Sequence, residues 1–284
     1  MKSYRPTAYL LLLIASIIWA IAGPVIKYVL GVVPPLPFLF LRFTLSSIVA
    51  LISFAFTGFH PPKKLSTLVW LLFYGFITST VTLGLLFVGL KGTTVLEMSL
   101  ISLTGPLMIA VAGVVFLREH ITQREKIGMA IALVGTVLTI ITPLKLSGNL
   151  LIILYLIANT FSVIICKKLL RLGVSPSLMT NMTFIVGFAT TLPLVIGQTN
   201  FGQLSLYPIL GIAFLAVLSG NLAYYLGNRA QKSIEISEAG LFSYLYPLLS
   251  MPLAVIWLHE EVTLPYIIGA IVVVIGVVIA EIKN

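Results

Sequence analysis

The feature that most constrains this chain is the near absence of charge over one stretch after another of membrane-spanning length. Reading between charged and turn-forming segments gives ten apolar stretches, at about 8–29, 36–56, 66–88, 95–117, 127–142, 149–166, 177–196, 206–227, 237–258 and 264–281. A helix of about 20 mostly apolar residues crosses the hydrocarbon core. Turn chemistry separates the stretches: "GVVPPLP" at 31–37, "GFHPPKK" at 58–64, "GVSPS" at 173–177 and "GQTNFGQ" at 197–203. The fifth and sixth are joined only by "PLKLSG" at 143–148, the natural midpoint. Of 284 residues, 59% are hydrophobic and 9% charged, whereas a water-facing domain uses about 25% charged residues. Lipid is therefore the solvent, and the expected fold class is an all-α integral membrane protein of ten transmembrane helices.

The formal net charge of +9 would point to nucleic acid in a soluble chain. Here the basic residues lie between apolar stretches and report topology, so no nucleic-acid partner is expected. With a cytoplasmic N-terminus, Lys63, Lys64, Arg118, Arg124, Lys126, Lys167, Lys168, Arg171, Arg229 and Lys232 fall on the inner side, as do Lys2, Arg5 and Lys283. Only Lys91 and Lys145 fall in outer loops. Basic residues favour the cytoplasmic side, so both termini are expected there. The single cysteine, Cys166, excludes an internal disulfide and reads as a packed thiol. The chain has no Asp, and no His, Cys or Glu group has metal-ligand spacing, so neither metal nor cofactor is expected.

The chain also repeats itself. "VFLREHIT" at 115–122 returns as "IWLHEEVT" at 256–263, an offset of 141 in the numbering. The same offset places Glu97 on Glu238, Ser102 on Ser243, Pro106 on Pro247, Glu119 on Glu260, Gly128 on Gly269 and Gly135 on Gly276. It also places Lys27 on Lys168. The chain is thus two copies of a five-helix unit, with expected domains at 1–143 and 147–284. An odd number of spans per copy makes the second copy enter the membrane from the opposite side. This 5+5 inverted-topology repeat places substrate near the midplane, between the copies, and favours alternating access.

Three features together resemble the EamA-type branch of the drug/metabolite transporter superfamily. They are the five-plus-five arrangement, the segment "PLMIAVAGVVFLREHITQREKIGMAIALVGTVL" with its echo "PLLSMPLAVIWLHEEVTLPYIIGAIVVVIGVVI", and "FLRF" in the second span. The resemblance covers essentially the whole chain. It implies a prokaryotic cytoplasmic membrane, a central cavity lined by spans one to four and six to nine, and peripheral fifth and tenth spans.

Polar residues inside spans are costly and usually face a cavity. The expected substrate contacts are Trp19 in the first span, Arg42 in the second, Thr78, Ser79 and Thr82 in the third, and Ser102 in the fourth. The second copy adds Tyr155 and Asn159, with Ser162 on the same face. It also adds Asn221 and Tyr225, beside Tyr224 and Asn228, and Ser243 and Tyr246 in the ninth span. Arg42 breaks the repeat, because the offset carries it to Thr183, with Met182 beside it. It reads either as a fork for a substrate carboxylate or as a side chain reaching to the interface. Lys27 with Glu97, and Lys168 with Glu238, read as mirrored gates or as groups that merely complement helix ends and headgroups. Glu119 and Glu260 end the fourth and ninth spans and read as organisers of the turn. Glycines seven apart at 128/135 and 269/276 allow close helix approach.

No carboxylate lies deep in a span. Small multidrug transporters of the superfamily carry a Glu in their first helix, where this chain has Ala15 and Ser16. Proton-coupled export of cations is therefore disfavoured, and neutral, zwitterionic or anionic substrates are favoured. The expected function is secondary transport of small metabolites, amino acids or related compounds, by export or facilitated diffusion. A nucleoside, nucleotide or lipid-precursor permease is the alternative. A non-transporting scaffold has no need of Arg42 or a polar midplane, and a membrane enzyme would show clustered His, Asp or Glu, so no enzymatic activity is expected. The expected partners are a small-molecule substrate and the lipid bilayer. The sequence leaves oligomeric state open, a monomer included.

Overall fold

A computed structural model describes the chain except residues 1–4, 118–122, 141–145, 199, 203, 235–238, 240–241 and 282–284. The expected gate residue Glu238, together with Glu119 and Thr122 of the repeated phrase, lies outside the described residues. The described elements are all helical. They are α1 (Arg5–Leu30), α2 (Pro35–Thr57), α3 (Leu65–Gly92), α4 (Val95–Ser102), α5 (Gly105–Leu117), α6 (Gln123–Ile140), α7 (Leu146–Arg171), α8 (Pro176–Val195), α9 (Leu206–Gln231), α10 (Leu245–Leu258) and α11 (Leu264–Glu281). Six of these, α1, α2, α3, α7, α8 and α9, are long and apolar enough to cross a membrane, and the remaining apolar helices are shorter. The stretch expected as one fourth span is divided by a turn at Leu103 and Thr104 into α4 and α5.

The helix ends follow from local chemistry. α2 and α8 each begin on proline, Pro35 and Pro176, where a missing N–H costs nothing. Ser175 caps α8 by accepting from the Leu178 N–H at 3.2 Å. α2 stops at Gly58, whose φ of 76° suits glycine and lets its N–H return to the Phe54 carbonyl. The outside is apolar, with Phe56 87% exposed and Ile196 and Ile256 each 73%. The inside holds Arg42, Ser46, Thr82, Asn149 and Thr183 almost wholly buried. That inverts the pattern of a water-soluble domain and fits a lipid-facing surface.

Two helix pairs carry the two copies against each other. A Cβ on Gly135 of α6 would lie 2.7 Å from the Val273 nitrogen and 2.9 Å from the Gly269 carbonyl oxygen of α11. A Cβ on Gly276 would run into the backbone at Ala132 and Gly128. The two contacts are one contact with the mates exchanged, as a local two-fold relation requires. Rising number in α6 meets falling number in α11, so the helices are antiparallel. α2 and α8 behave alike: Phe40 stacks on Phe188, the Ser47 hydroxyl donates to the Phe184 carbonyl at 2.9 Å, and Asn181 Nδ2 donates to Ser53 Oγ at 3.0 Å. Phe43 and Phe184, mates under the same offset, face one another with ring centroids 6.2 Å apart, as they would on the axis itself.

α3 and α9 share a departure from regular helix. Each contains a π-helical segment, Ile77–Leu83 in α3 and Leu215–Leu222 in α9. The i→i+5 bonding of such a segment widens the turn and frees carbonyl groups from the i→i+4 ladder, a geometry frequent at functional sites. In α9 several of these carbonyls also accept from side chains of other helices, through their second lone pairs.

Candidate functional site

A cavity of about 170 Å³ lies among α1, α3, α4, α5, α7, α9 and α10, with Arg42 as the contribution of α2. Its walls are built largely of repeat mates. Trp19, Ala22, Gly23 and Ile26 of α1 line it with Asn159, Ser162, Val163 and Cys166 of α7, each at an offset of 140. Thr78, Leu83 and Leu86 of α3 line it with Ser219, Tyr224 and Gly227 of α9, each at an offset of 141. Met98 and Ser102 do so with Ala239 and Ser243, again at 141. Arg42 has no such mate: Thr183 is fully buried off the cavity, its hydroxyl donating to the Met179 carbonyl at 2.9 Å.

The π segments decide which residues reach the wall. Along α3 the lining runs Tyr74, Thr78, Leu83, Leu86; along α9 it runs Ser219, Tyr224, Gly227, Asn228, Gln231. The steps of five, Thr78 to Leu83 and Ser219 to Tyr224, are the i→i+5 register of the π turns. A reading at α-helical spacing slips at these points, and the expected contacts Thr82 and Tyr225 do not line the cavity. Thr82 is buried without a partner for its hydroxyl among the described residues. The Tyr225 hydroxyl accepts from Arg229 at 3.0 Å. Ser79 is also off the wall, its hydroxyl donating to the Gly75 carbonyl at 2.7 Å beside Gly187. Asn221 is off the wall too, with Nδ2 donating to the Ser46 carbonyl at 3.1 Å. Trp19, Arg42, Thr78, Ser102, Tyr155, Asn159, Ser243 and Tyr246 are on it. So are Tyr74 and Gln231, which spacing alone did not single out; a tyrosine two turns from a span end reads as an interfacial anchor.

Arg42 is 1% exposed. Its Nε donates to the Leu215 carbonyl at 3.1 Å, and its guanidinium carbon lies 5.4 Å from the Phe87 ring centroid. Among the described residues no carboxylate pairs with it. Leu215 opens the π segment of α9, and the next carbonyls serve likewise: Ala216 accepts from Ser46 Oγ at 3.2 Å, and Ser219 accepts from Trp19 Nε1 at 3.2 Å. Trp19 packs edge-on against Tyr224, which packs edge-on against Phe184. The cavity therefore offers one cationic fork beside an aromatic corner. Farther along, the Asn228 amide oxygen accepts from Tyr74 at 3.3 Å and Cys166 at 3.4 Å, while Nδ2 donates to Thr180 at 3.0 Å.

Two lysines stand at opposite ends of the cavity-forming helices. Lys27 Nζ donates to the carbonyls of Leu90 and Thr93, at the end of α3. Lys167 Nζ donates to those of Gln231 and Ile234, at the end of α9, at 2.8 and 2.6 Å. The acceptors are mates at an offset of 141 and the lysines at an offset of 140. The counterpart of Lys27 is thus Lys167, not Lys168. Lys168 is exposed and lies 3.5 Å over the Trp70 ring. The shift by one arises because the second copy gains a residue between Lys167 and Pro176, the latter being the mate of Pro35 at an offset of 141.

At the Lys27 end the polar groups form a buried cluster. The Thr93 hydroxyl donates to Glu97 Oε2 at 2.6 Å and also touches the Asn149 side-chain oxygen. One hydroxyl proton serves one acceptor, and Asn149 Nδ2 has no partner among the described residues. Turning the Asn149 amide makes Nδ2 the donor to Thr93 and leaves the hydroxyl proton to Glu97. Thr94 accepts from the Glu97 N–H at 3.1 Å, and Glu260, from the other copy, accepts from the N–H groups of Val95 at 2.8 Å and Leu96 at 2.9 Å. The start of α4 thus has three N–H groups capped, two by a charge that complements the helix dipole. His259 takes φ 54°, ψ 36°, a left-handed conformation that turns the chain at the end of α10 just before Glu260. Glu260 of "IWLHEEVT" therefore joins the two copies rather than only ordering its own turn.

Comparisons with known proteins agree with this geometry. A model of the EamA-like transporter family matches residues 6–141 and again 146–281. The uncharacterized transporter YyaM of Bacillus subtilis is 27% identical over 285 residues, covering 96% of this chain and 93% of its own. A probable amino-acid metabolite efflux pump of Salmonella typhimurium is 25% identical, covering 97% and 94%. An uncharacterized protein of Methanocaldococcus jannaschii, MJ1333.1, is 26% identical over 141 residues, 48% of this chain and 95% of its own. A solved crystal structure superposes with a TM-score of 0.72 over 98% of this chain and 97% of its own, at 19% identity, which speaks to the fold alone. The chain is a multi-pass membrane protein with two EamA-like regions, and it belongs to the EamA-like transporter family.

Proposed function

We propose that the chain is a secondary carrier of the cytoplasmic membrane, with ten spans in a 5+5 inverted repeat and both termini in the cytoplasm. It moves small carboxylate-bearing metabolites, amino acids or related zwitterions and anions, by alternating access in export or facilitated diffusion. The observation that carries the substrate class is Arg42: a buried guanidinium on the wall of a cavity, with no carboxylate paired to it among the described residues. Such a charge is costly to bury alone, and its fork matches a carboxylate. The aromatic corner of Trp19 and Tyr224 offers a place for an apolar remainder. The antiparallel, mate-exchanging contacts of α6 with α11 and α2 with α8 support the inverted repeat. The name of the Salmonella relative supports amino-acid metabolites as the class to test first. The Lys27–Glu97 cluster, joined to the other copy through Glu260, acts as the gate of the outer end, and Lys167 belongs to its mirror at the inner end.

The test is uptake into proteoliposomes of radiolabelled neutral amino acids, nucleosides and quaternary amines, with and without a pH gradient. Carboxylate-bearing compounds are expected to be transported and Arg42→Gln to abolish their advantage. Transport of quaternary amines with indifference to carboxylates would overturn the reading. A reporter fused to the C-terminus that is active only outside the cell would overturn the topology.

A further inference from the structure

We propose that Asn221 and Ser46 are positioning residues for Arg42, holding the π turn of α9 against α2 so that the guanidinium presents its terminal nitrogens to the cavity. The inference rests on Arg42 being the carboxylate fork. Neither residue lines the cavity, yet together they bracket the turn on which Arg42 rests. Asn221 Nδ2 donates to the Ser46 carbonyl at 3.1 Å, and Ser46 Oγ donates back to the Ala216 carbonyl at 3.2 Å. Ala216 adjoins Leu215, whose carbonyl takes Arg42 Nε at 3.1 Å. Ser46 stands one turn beyond Arg42 on the same face of α2, so both side chains read successive carbonyls of one π turn.

The packing leaves this bracket little freedom. Ser46 is wholly buried, and Asn221 is 9% exposed. A Cβ on Gly220 would lie 3.0 Å from the Leu215 oxygen, 3.2 Å from Ser46 Oγ and 3.3 Å from the Phe184 ring, so a side chain there would press on the turn and on both facing helices. A carbonyl in a regular α-helix is already taken by the N–H four residues on. In the π segment it is the N–H five residues on, and the second lone pairs of Leu215, Ala216 and Ser219 take Arg42, Ser46 and Trp19. With one donor spent on Leu215, Arg42 keeps its two terminal NH₂ groups for a planar acceptor. Loosening the bracket lets the turn relax and the fork swing, without removing any atom that touches substrate.

The experiment uses the full-length protein in proteoliposomes, with phenylalanine uptake competed by phenylalanine and by phenylalaninamide, which lacks the carboxylate. Asn221→Ala and Ser46→Ala are expected to lose about tenfold of the preference for phenylalanine, the loss of about one charge-assisted bond. Competition by the amide is expected to stay as in wild type. Ser46→Thr, which keeps the hydroxyl, and Ser47→Ala, whose partner is the Phe184 carbonyl, are expected to keep the preference. A wild type that does not prefer the carboxylate refutes the Arg42 reading and the positioning with it. A wild-type preference lost in Arg42→Gln but retained in both Asn221→Ala and Ser46→Ala refutes the positioning alone. A second measurement needs no substrate. In a Trp70→Phe, Trp257→Phe background, Trp19 hangs from the same π turn through Ser219 and reports it by fluorescence. Asn221→Ala and Ser46→Ala are expected to shift its emission and raise acrylamide quenching about twofold, as its tethering carbonyl moves. Unchanged emission and quenching in both variants would overturn the proposal.

Discussion

Replacing Glu260 tests whether the two copies are latched at the Lys27 end. Its carboxylate accepts from the N–H groups of Val95 and Leu96 at 2.8 and 2.9 Å, across the boundary between copies. Hydrogen bonds to a charged group contribute about 1.5–3 kcal/mol each when buried. Glu260 is half-buried, so water competes, and about 2 kcal/mol for the pair is a reasonable value. If these bonds exist only while that end is shut, Glu260→Ala shifts the balance towards opening by about 30-fold. Glu260→Gln keeps one acceptor and turns its NH₂ against the other N–H, so about fivefold is expected. The assay is thiol labelling from outside in a Cys166→Ser, Met98→Cys background, because Met98 lines the cavity next to the latch. The labelling rate should rise in the order Glu, Gln, Ala. Rates agreeing within about twofold, under about 0.5 kcal/mol, in folded variants would refute the latch.

Lys167→Met should lower thermal stability by about 2 kcal/mol, because two carbonyls at the end of α9 lose a charged donor. Lys168→Met should cost about 0.5–1 kcal/mol, the value of an exposed cation over a ring; survival of the folded peak in size-exclusion chromatography after heating separates the two. Gly135→Ala should destabilise by about 1–3 kcal/mol, since its Cβ meets the α11 backbone. Gly84→Ala, with nothing within 4 Å of the new Cβ, should be neutral or stabilising by up to about 1 kcal/mol in the same measurement. N-ethylmaleimide should modify Cys166, on the cavity wall, only slowly, and a transported substrate should protect it. Modification indifferent to every transported compound would place the substrate elsewhere.

The apolar stretches and the repeat were legible because lipid imposes length and a duplicated copy preserves spacing. Trp19 and Asn159 could be placed on the wall because α1 and α7 are regular enough for helical spacing to hold. Thr82 and Tyr225 could not, because a π turn moves every later side chain round the axis, and no residue type announces such a turn. "LSGNL" at 218–222, with a serine, glycine and asparagine in mid-span, is the nearest signal. The offset of 141 pairs Lys27 with Lys168, but one residue added between Lys167 and Pro176 makes the offset 140 in α7, which spacing elsewhere does not reveal. The reach of Glu260 to α4 joins positions far apart in the chain, which spacing within one turn does not contain.

The exchange of mates between α6 and α11 bears on how the site acquired its charge. Such a surface suits a five-helix unit meeting an inverted twin of itself, and in that arrangement every wall residue is present twice. Two copies of Arg42 would aim two guanidinium groups at one cavity of about 170 Å³, a repulsion that a low dielectric magnifies. Joining the twins in a single polypeptide lifts the constraint: one position keeps the arginine while its counterpart becomes Thr183, tied to its own helix. A wall that carries the guanidinium on one side alone is thus open to two units fused in one chain and closed to a pair of identical ones.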